Sequence, residues 1–237
     1  MHLLSKNVKQ EAVTQSTGGT RGYQSALRAE RAAFTRQCVL RAARDSFGAH
    51  GYAGSTVADI ARRANVAVDT VYAAVGRKPA LLRQLVETAL SGEDVAVPAH
   101  ERDYVTRIRA SDTAEQKLTI YAAAVSAIQQ RMSVVFQTLG EAATMDADCS
   151  ALWTEISERR AANMIDLAAD LRRTGELRAD LSDRDVADVI WSMNGTEYWL
   201  LLVQHRGWSP ERFERWLVDC WTRVLLQQPL QGPVVPA

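Results

Sequence analysis

The stretch TVADIARRANVAVDTVYAAVGRKPALL, residues 56–82, carries three apolar runs of helical period separated by breaks too short for anything but tight turns. Thr56 with Asp59 three residues on has the form of a capping box, with Ser55 as a competing cap, and Val57, Ile60, Ala61 and Ala64 follow as one apolar stripe. Asn65 is among the few non-glycine residues that enter a left-handed backbone cheaply, so it can stop this helix sharply and turn Val66 into the core. A short helix is then expected over about Val68–Val75, ended by Gly76. Pro79 suits the first turn of the next helix, marked by Leu81, Leu82, Leu85, Val86 and Leu90. A helix, a turn of about three residues and a second short helix packed across it form the unit that lays its second helix in a DNA major groove.

The charge distribution agrees with a polyanion partner for this end of the chain. The formal net charge is zero, yet residues 1–83 carry 13 basic and 5 acidic side chains and the remainder 15 basic and 23 acidic. A basic leading module meeting nucleic acid and an acidic second module with another task follow from that split. A chance excess of arginine on solvated faces is the bland alternative.

Residues before about 25 are polar, contain Gly18, Gly19 and Gly22 and show no period, so 1–25 reads as a flexible arm. A first helix is expected from Glu30, with Val39 or Leu40, Ala43 and Phe47 on one face and Gly48 and Gly51 as its stop. Beyond residue 90 helices are expected near 101–109, 113–131, 134–144 and 149–174. A long helix then runs from the Ser182 cap to His205, and a last one from the Ser209-Pro210-Glu211 start through Leu226. The fold class is all-α, and its units are the arm at 1–25, a DNA-binding unit at 26–78 and a larger helical unit at 79–237.

No apolar stretch reaches the roughly 20 residues of a membrane span and the N-terminus has no hydrophobic signal region, so a cytoplasmic location with no membrane partner is expected. Cys38, Cys149 and Cys220 are far apart and lack CxxC spacing, which argues against a disulfide framework or a zinc ribbon. His2, His50, His100 and His205 are scattered, and GxSxG and P-loop signatures are absent. No metal, no cofactor and no enzyme is the resulting expectation.

The ordered positions Phe47, Gly51 and Tyr52, then Thr56, Val57, Asp59, Ile60 and Ala61, then Val66, then Thr70, Val71 and Tyr72, then Lys78, Leu81 and Leu82 resemble the TetR family of bacterial transcriptional regulators. The resemblance spans about residues 30–90. It implies an N-terminal helix-turn-helix domain joined by a fourth helix to a larger domain that binds an effector and dimerises. Lys78 matches the family's phosphate-contacting lysine and Tyr72 the tyrosine whose hydroxyl reaches a phosphate. Thr56 offers a hydroxyl and a helix start to the backbone, and Arg77 is an added backbone contact. Val68, Asp69, Thr70 and Ala73 are expected to face base edges, where Val68 can touch a thymine methyl and Asp69 can accept from a cytosine amino group. Asp69 equally suits a helix start with no DNA present, because an acid there offsets the dipole.

Ala67, Asn65 and the run Ala73-Ala74-Val75 depart from the family pattern and leave the reading helix poor in base-contacting groups. DNA shape and basic residues of the leading segment then carry more weight. Arg21, Arg28, Arg31 and Arg36 could follow the DNA backbone or enter a minor groove, or the arm is a leader that touches nothing.

For the second domain, the resemblance implies a homodimer and an apolar or amphipathic small-molecule effector. Tyr198, Leu201, Leu202, Phe213, Trp216, Leu217, Cys220 and Val224 are the expected dimer contacts, with burial in the protomer's own core as the rival for each. The expected pocket residues are Tyr121, Met132, Phe136, Trp153, Met164 and Trp191, with Asn194 and Glu197 orienting the ligand. The expected partners are therefore double-stranded DNA bearing a near-palindromic operator, a second copy of the chain and the effector. The competing reading is an adaptor whose depleted helix no longer reads DNA and which docks a protein.

Overall fold

The computed structural model describes residues 18–91 and 97–227, with side chains from residue 24 onward. The described chain forms helices α1 (Gly18–His50), α2 (Val57–Ala64), α3 (Val68–Ala74), α4 (Lys78–Ser91), α5 (Asp103–Ala110), α6 (Ala114–Ala143), α7 (Ala147–Arg172), α8 (Asp183–Met193), α9 (Thr196–Trp199) and α10 (Pro210–Leu225). Among the described residues the β contribution is one isolated bridge, Leu177 with Leu226.

Several expected boundaries move. The first helix does not wait for Glu30 but starts at Gly18, so 18–25 of the stretch read as an arm is helical, while 1–17 lies outside the described residues. The run from Ala26 to Ala33, rich in Ala, Arg, Glu and Leu, is strongly helix-forming, and a helix once nucleated extends upstream at little cost. The breaks expected at 132–133 do not exist, because a polar Arg131 on an exposed face ends nothing, and α6 runs unbroken for 30 residues. Conversely, the helix expected over Ser182–His205 is interrupted. Asn194 caps α8, Gly195 adopts an extended conformation ahead of α9, and Leu200–His205 widens into a π-helical turn.

Local chemistry accounts for the tight turns. Thr56 Oγ1 accepts from the Asp59 amide at 3.1 Å and donates to its carboxylate at 2.6 Å, which fixes the start of α2. Ser55, the competing cap, is instead buried, donating to Gly51 O at 2.9 Å and accepting from Ser46 at 3.0 Å. Asn65 has φ 55° and ψ 45°, its N–H returning to the carbonyls of Ala61 and Arg62, while Val66 N donates to Ala61 O at 3.0 Å. This is a Schellman-type ending built on asparagine, and Val66 packs against the core as expected.

Two apolar cores hold the chain together. The first joins α1–α4 to one end of the α6–α7 pair: Val39, Phe47, Ile60, Val71, Leu81 and Leu82 share it with Val135, Leu139, Cys149 and Leu152. The second joins the opposite ends of α6 and α7 to α5, α8, α9 and α10 around Leu118, Leu171, Ile190, Phe213 and Trp221. Each fully buried aliphatic or aromatic side chain contributes on the order of 1.5–3 kcal/mol. The two long helices therefore belong to both cores.

Candidate functional site

Two places combine exposed or unspent chemistry: the outer face of α3 and a cavity between α5, α6 and α7. In α3, Val71 is fully buried while Val68, Asp69, Tyr72 and Ala73 are exposed. A spacing of one and four residues puts those four on one solvent-facing stripe. Thr70, expected among them, is half-buried. Tyr72 is 48% exposed. Asp69 sits in the first turn of α3, whose cap Ala67 supplies no side-chain hydrogen bond. An acid there offsets the helix dipole and leaves the carboxylate exposed, compatible with either role for Asp69. Thr56, Arg77 and, on α1, Arg36 are exposed.

Lys78 is placed differently from a free surface lysine. Its ammonium donates to Tyr52 O at 2.7 Å and Ser55 O at 3.0 Å, and lies 3.9 Å from the centre of the Tyr52 ring. Two of its three N–H donors are thus spent on the turn that follows α1. The start of α4 is locked to the helix-turn-helix, and one donor remains. Tyr52 in turn donates to Asp146 Oδ2 at 2.7 Å, the carboxylate that caps α7. That bond holds Asp146 below the ordinary carboxylate range, while burial and the same bond push the Tyr52 phenol up.

The cavity has a volume of about 510 Å³, within the span of small-molecule sites. Tyr121, Met132, Phe136, Met164 and Asn194 of the expected set line it. Trp153, Trp191 and Glu197 do not. Trp153 stacks on Phe136 at 4.6 Å from behind the wall, and Trp191 is 37% exposed with the Arg160 guanidinium 4.5 Å over its ring. Glu197 is exposed, because the break at Gly195 turns α9 away from the line of α8.

Charge is what apolar patterning did not foresee. Five arginines, Arg102, Arg109, Arg159, Arg160 and Arg173, line the cavity against two aspartates, Asp166 and Asp170. At its floor Lys117, buried, donates to Asp170 at 2.7 Å and to Ile108 O at 2.7 Å, and Arg173 also binds Asp170. Arg159 pairs with Glu87 of α4 at 2.8 Å, and Arg102 donates to Val97 O at 3.2 Å. Gln129 bridges Asn194 O and Thr196 with bonds of 2.8 and 2.9 Å. Arg160 differs: among the described residues it has no hydrogen bond or ion pair, and its buried Nε is unpartnered. The 96% buried Asn194 donates to Tyr121 at 2.8 Å, but its Oδ1 accepts nothing. A signal for Arg160 did exist, since Ile156, Arg160 and Met164 recur every four residues and put one charge in an apolar stripe.

On α10, Phe213, Leu217, Trp221 and Leu225 form a fully buried stripe, which removes Phe213 and Leu217 from the expected dimer contacts. Trp216 and Val224, with half-buried Cys220 between them, form a second stripe, 40% and 41% exposed at its ends. Leu201 is 57% exposed, and Tyr198 and Leu202 are half-buried. Tyr198 accepts from the Trp216 indole at 2.7 Å. No described helix is long and apolar enough to cross a membrane, and no cluster of three His, Cys, Asp or Glu among the described residues could hold a metal.

Comparison with known proteins bears on these features. Residues 39–85 match the family described as bacterial regulatory proteins, tetR family. No curated protein sequence matches the chain. Among solved structures, NalD, the secondary repressor of the MexAB-OprM multidrug efflux pump in Pseudomonas aeruginosa, superposes with a TM-score of 0.64 at 17% identity, over 84% of this chain and 100% of its own. The transcriptional regulator FadR from Bacillus subtilis, solved with stearoyl-CoA, gives 0.63 at 18% identity over 78% and 96%. The fatty acid degradation regulator FadR from Bacillus halodurans gives 0.62 at 17% over 79% and 94%. At these identities the likeness speaks for the fold, and the matched segment covers α2, α3, the C-terminal part of α1 and the N-terminal part of α4. Residues 39–85 thus match the tetR-family model, and the overall fold is similar to that of solved transcriptional regulators such as NalD.

Proposed function

We propose that the protein is a homodimeric, ligand-responsive repressor, in which residues 26–78 form the DNA-binding unit and residues 79–237 the effector and dimer unit. The observation that carries the reading is the braced α3: Val71 is fixed in the core while Val68, Asp69, Tyr72 and Ala73 face outward. Val68 and Ala73 would meet thymine methyls and Asp69 a cytosine amino group. Tyr72, Thr56, Arg36, Arg77 and the third donor of Lys78 would hold phosphates, with half-buried Thr70 supporting the reading face. The second stripe of α10, Trp216, Cys220 and Val224, together with Leu201, supports pairing with a second copy. Two α3 helices would then enter major grooves about 34–36 Å, or a multiple of that, apart.

Ligand control has a physical route. Arg159 lines the cavity and is tied to Glu87 on α4, and Arg83 of α4 binds Glu155 of α7 at 3.0 and 2.8 Å. A ligand that shifts α7 would shift α4, whose first residue holds the turn behind α2. Tyr121, Met132, Phe136, Met164 and Asn194 would contact it. If such a ligand lowers DNA affinity, DNA must lower ligand affinity by the same factor.

The test is selection of genomic duplexes by the purified protein, followed by anisotropy titrations over a salt series. A steep log-log slope on a near-palindromic site is expected, falling by about 1 in Arg77→Ala. A flat slope would overturn the reading in favour of an adaptor that docks a protein.

A further inference from the structure

The domain that holds the cavity belongs to the acidic part of the chain, yet the cavity wall is cationic. Its two aspartates are accounted for unequally: Asp170 is shared by Lys117 and Arg173, and Asp166 is exposed at the edge. Arg159 is neutralised by Glu87. That leaves Arg102, Arg109 and Arg160 without a carboxylate within ion-pair distance among the described residues. Of these, half-buried Arg160 is the one with a buried donor left unpartnered. Its guanidinium carbon lies 4.5 Å over the Trp191 ring, and its Nε–H is shut away from water without an acceptor. Glu197 acts on it only through space, beyond ion-pair distance, and burial works against its charge. An arginine does not resolve this by losing its proton. A group of this kind costs free energy unless an acceptor arrives. Asn194 of the same wall, 4% exposed, has its Oδ1 buried without a donor. The apolar part of the lining includes Met132, Phe136, Ile128 and Leu90.

From this arrangement we infer that the cavity takes an amphipathic oxyanion, its carboxylate or phosphate head on the Arg160 guanidinium and its apolar body against Met132 and Phe136. The inference rests on the reading of the cavity as the effector site and adds the charge class of the effector. The planar fork of an arginine matches a two-oxygen head, and such charge-assisted bonds are the strong ones where water is excluded. Arg102 and Arg109 near the mouth would draw the anion in.

The test holds the tail constant and varies the head. Decanoate, decyl phosphate, 1-decanol and decyltrimethylammonium are titrated into the full-length protein by calorimetry below their micellar concentrations. At least one of the two anions is expected to bind about tenfold or more tightly than the alcohol, and the cation not to bind. In Arg160→Gln the preferred anion should weaken by about tenfold and the alcohol stay unchanged, and Arg160→Lys should recover part of the loss. Melting curves of both variants establish that they fold. Equal binding of alcohol and anion, binding of the cation, no binding of any probe, or an anion affinity untouched by Arg160→Gln would overturn the inference. The same samples are scored for release of the selected duplex. An anion that binds through Arg160 but leaves DNA bound would overturn the effector reading and spare the charge class.

Discussion

In the helix-turn-helix, Thr56, Asp59, Asn65, Ser55 and Lys78 each satisfy a named backbone or side-chain group within a few residues or one helix away. In the upper wall of the cavity, Arg160 and Asn194 each keep a buried polar atom without a partner. The floor of the same cavity follows the first pattern, with Lys117, Asp170 and Arg173 closed on one another. The difference teaches where this protein's stability and its responsiveness reside. Closed polar sets define a single geometry; open ones have an interaction left for something that arrives.

Substitutions can break or sharpen this contrast. The largest effect is expected for Lys117→Met, which strands a buried Asp170 with Arg173 as its only cation and should cost about 3 kcal/mol in urea unfolding followed by circular dichroism. Next comes Tyr52→Phe, which removes the bond to Asp146 and should cost about 1.5 kcal/mol at neutral pH. Its pH dependence follows from the depressed carboxyl of Asp146. The stabilisation is present above the ordinary aspartate value near 4 and fades as pH falls through the lower folded value. The gap in melting temperature between wild type and Tyr52→Phe should therefore be widest above about pH 5 and close in stronger acid. Asn65→Ala should cost about 1 kcal/mol, the penalty of a Cβ-bearing residue without local hydrogen bonding at φ 55°, whereas Asn65→Gly should be near neutral in the same unfolding assay. Smallest, and opposite in sign, is Arg160→Met, which removes an unpartnered buried donor at the expense of its contact with Trp191 and should raise stability by less than about 0.5 kcal/mol. A loss as large as that of Lys117→Met would show that Arg160 is a structural cation.

What could be read from the sequence divides along the same line. The stop at Asn65, the Thr56 cap and the buried faces of α2, α3 and α4 depend on neighbours within four residues, and they stand in the structure as the spacing predicts. The five cavity residues Tyr121, Met132, Phe136, Met164 and Asn194 came from their residue types and the apolar period of their helices. The cavity arginines escaped notice because arginine on a helix is ordinarily solvated. Whether Arg159 or Arg160 turns inward depends on α4, α6 and α8, dozens of residues away. Trp153, Trp191 and Glu197 were displaced for a similar reason. A tryptophan pattern gives a face but not which side of a wall it backs, and the kink at Gly195 changes what α9 presents. For Lys78, the matching position was legible, but not that two backbone carbonyls would occupy it.

The sharing of α6 and α7 between both cores has a consequence for how this protein can be cut or recombined. Phe47, Leu81 and Leu82 rest against Val135, Leu139 and Leu152, so an excised segment ending near residue 91 would carry a naked hydrophobic flank into solvent. The reading head is no interchangeable bead on a string; grafted onto another regulator, it would have to bring along a matching saddle from the middle of the chain.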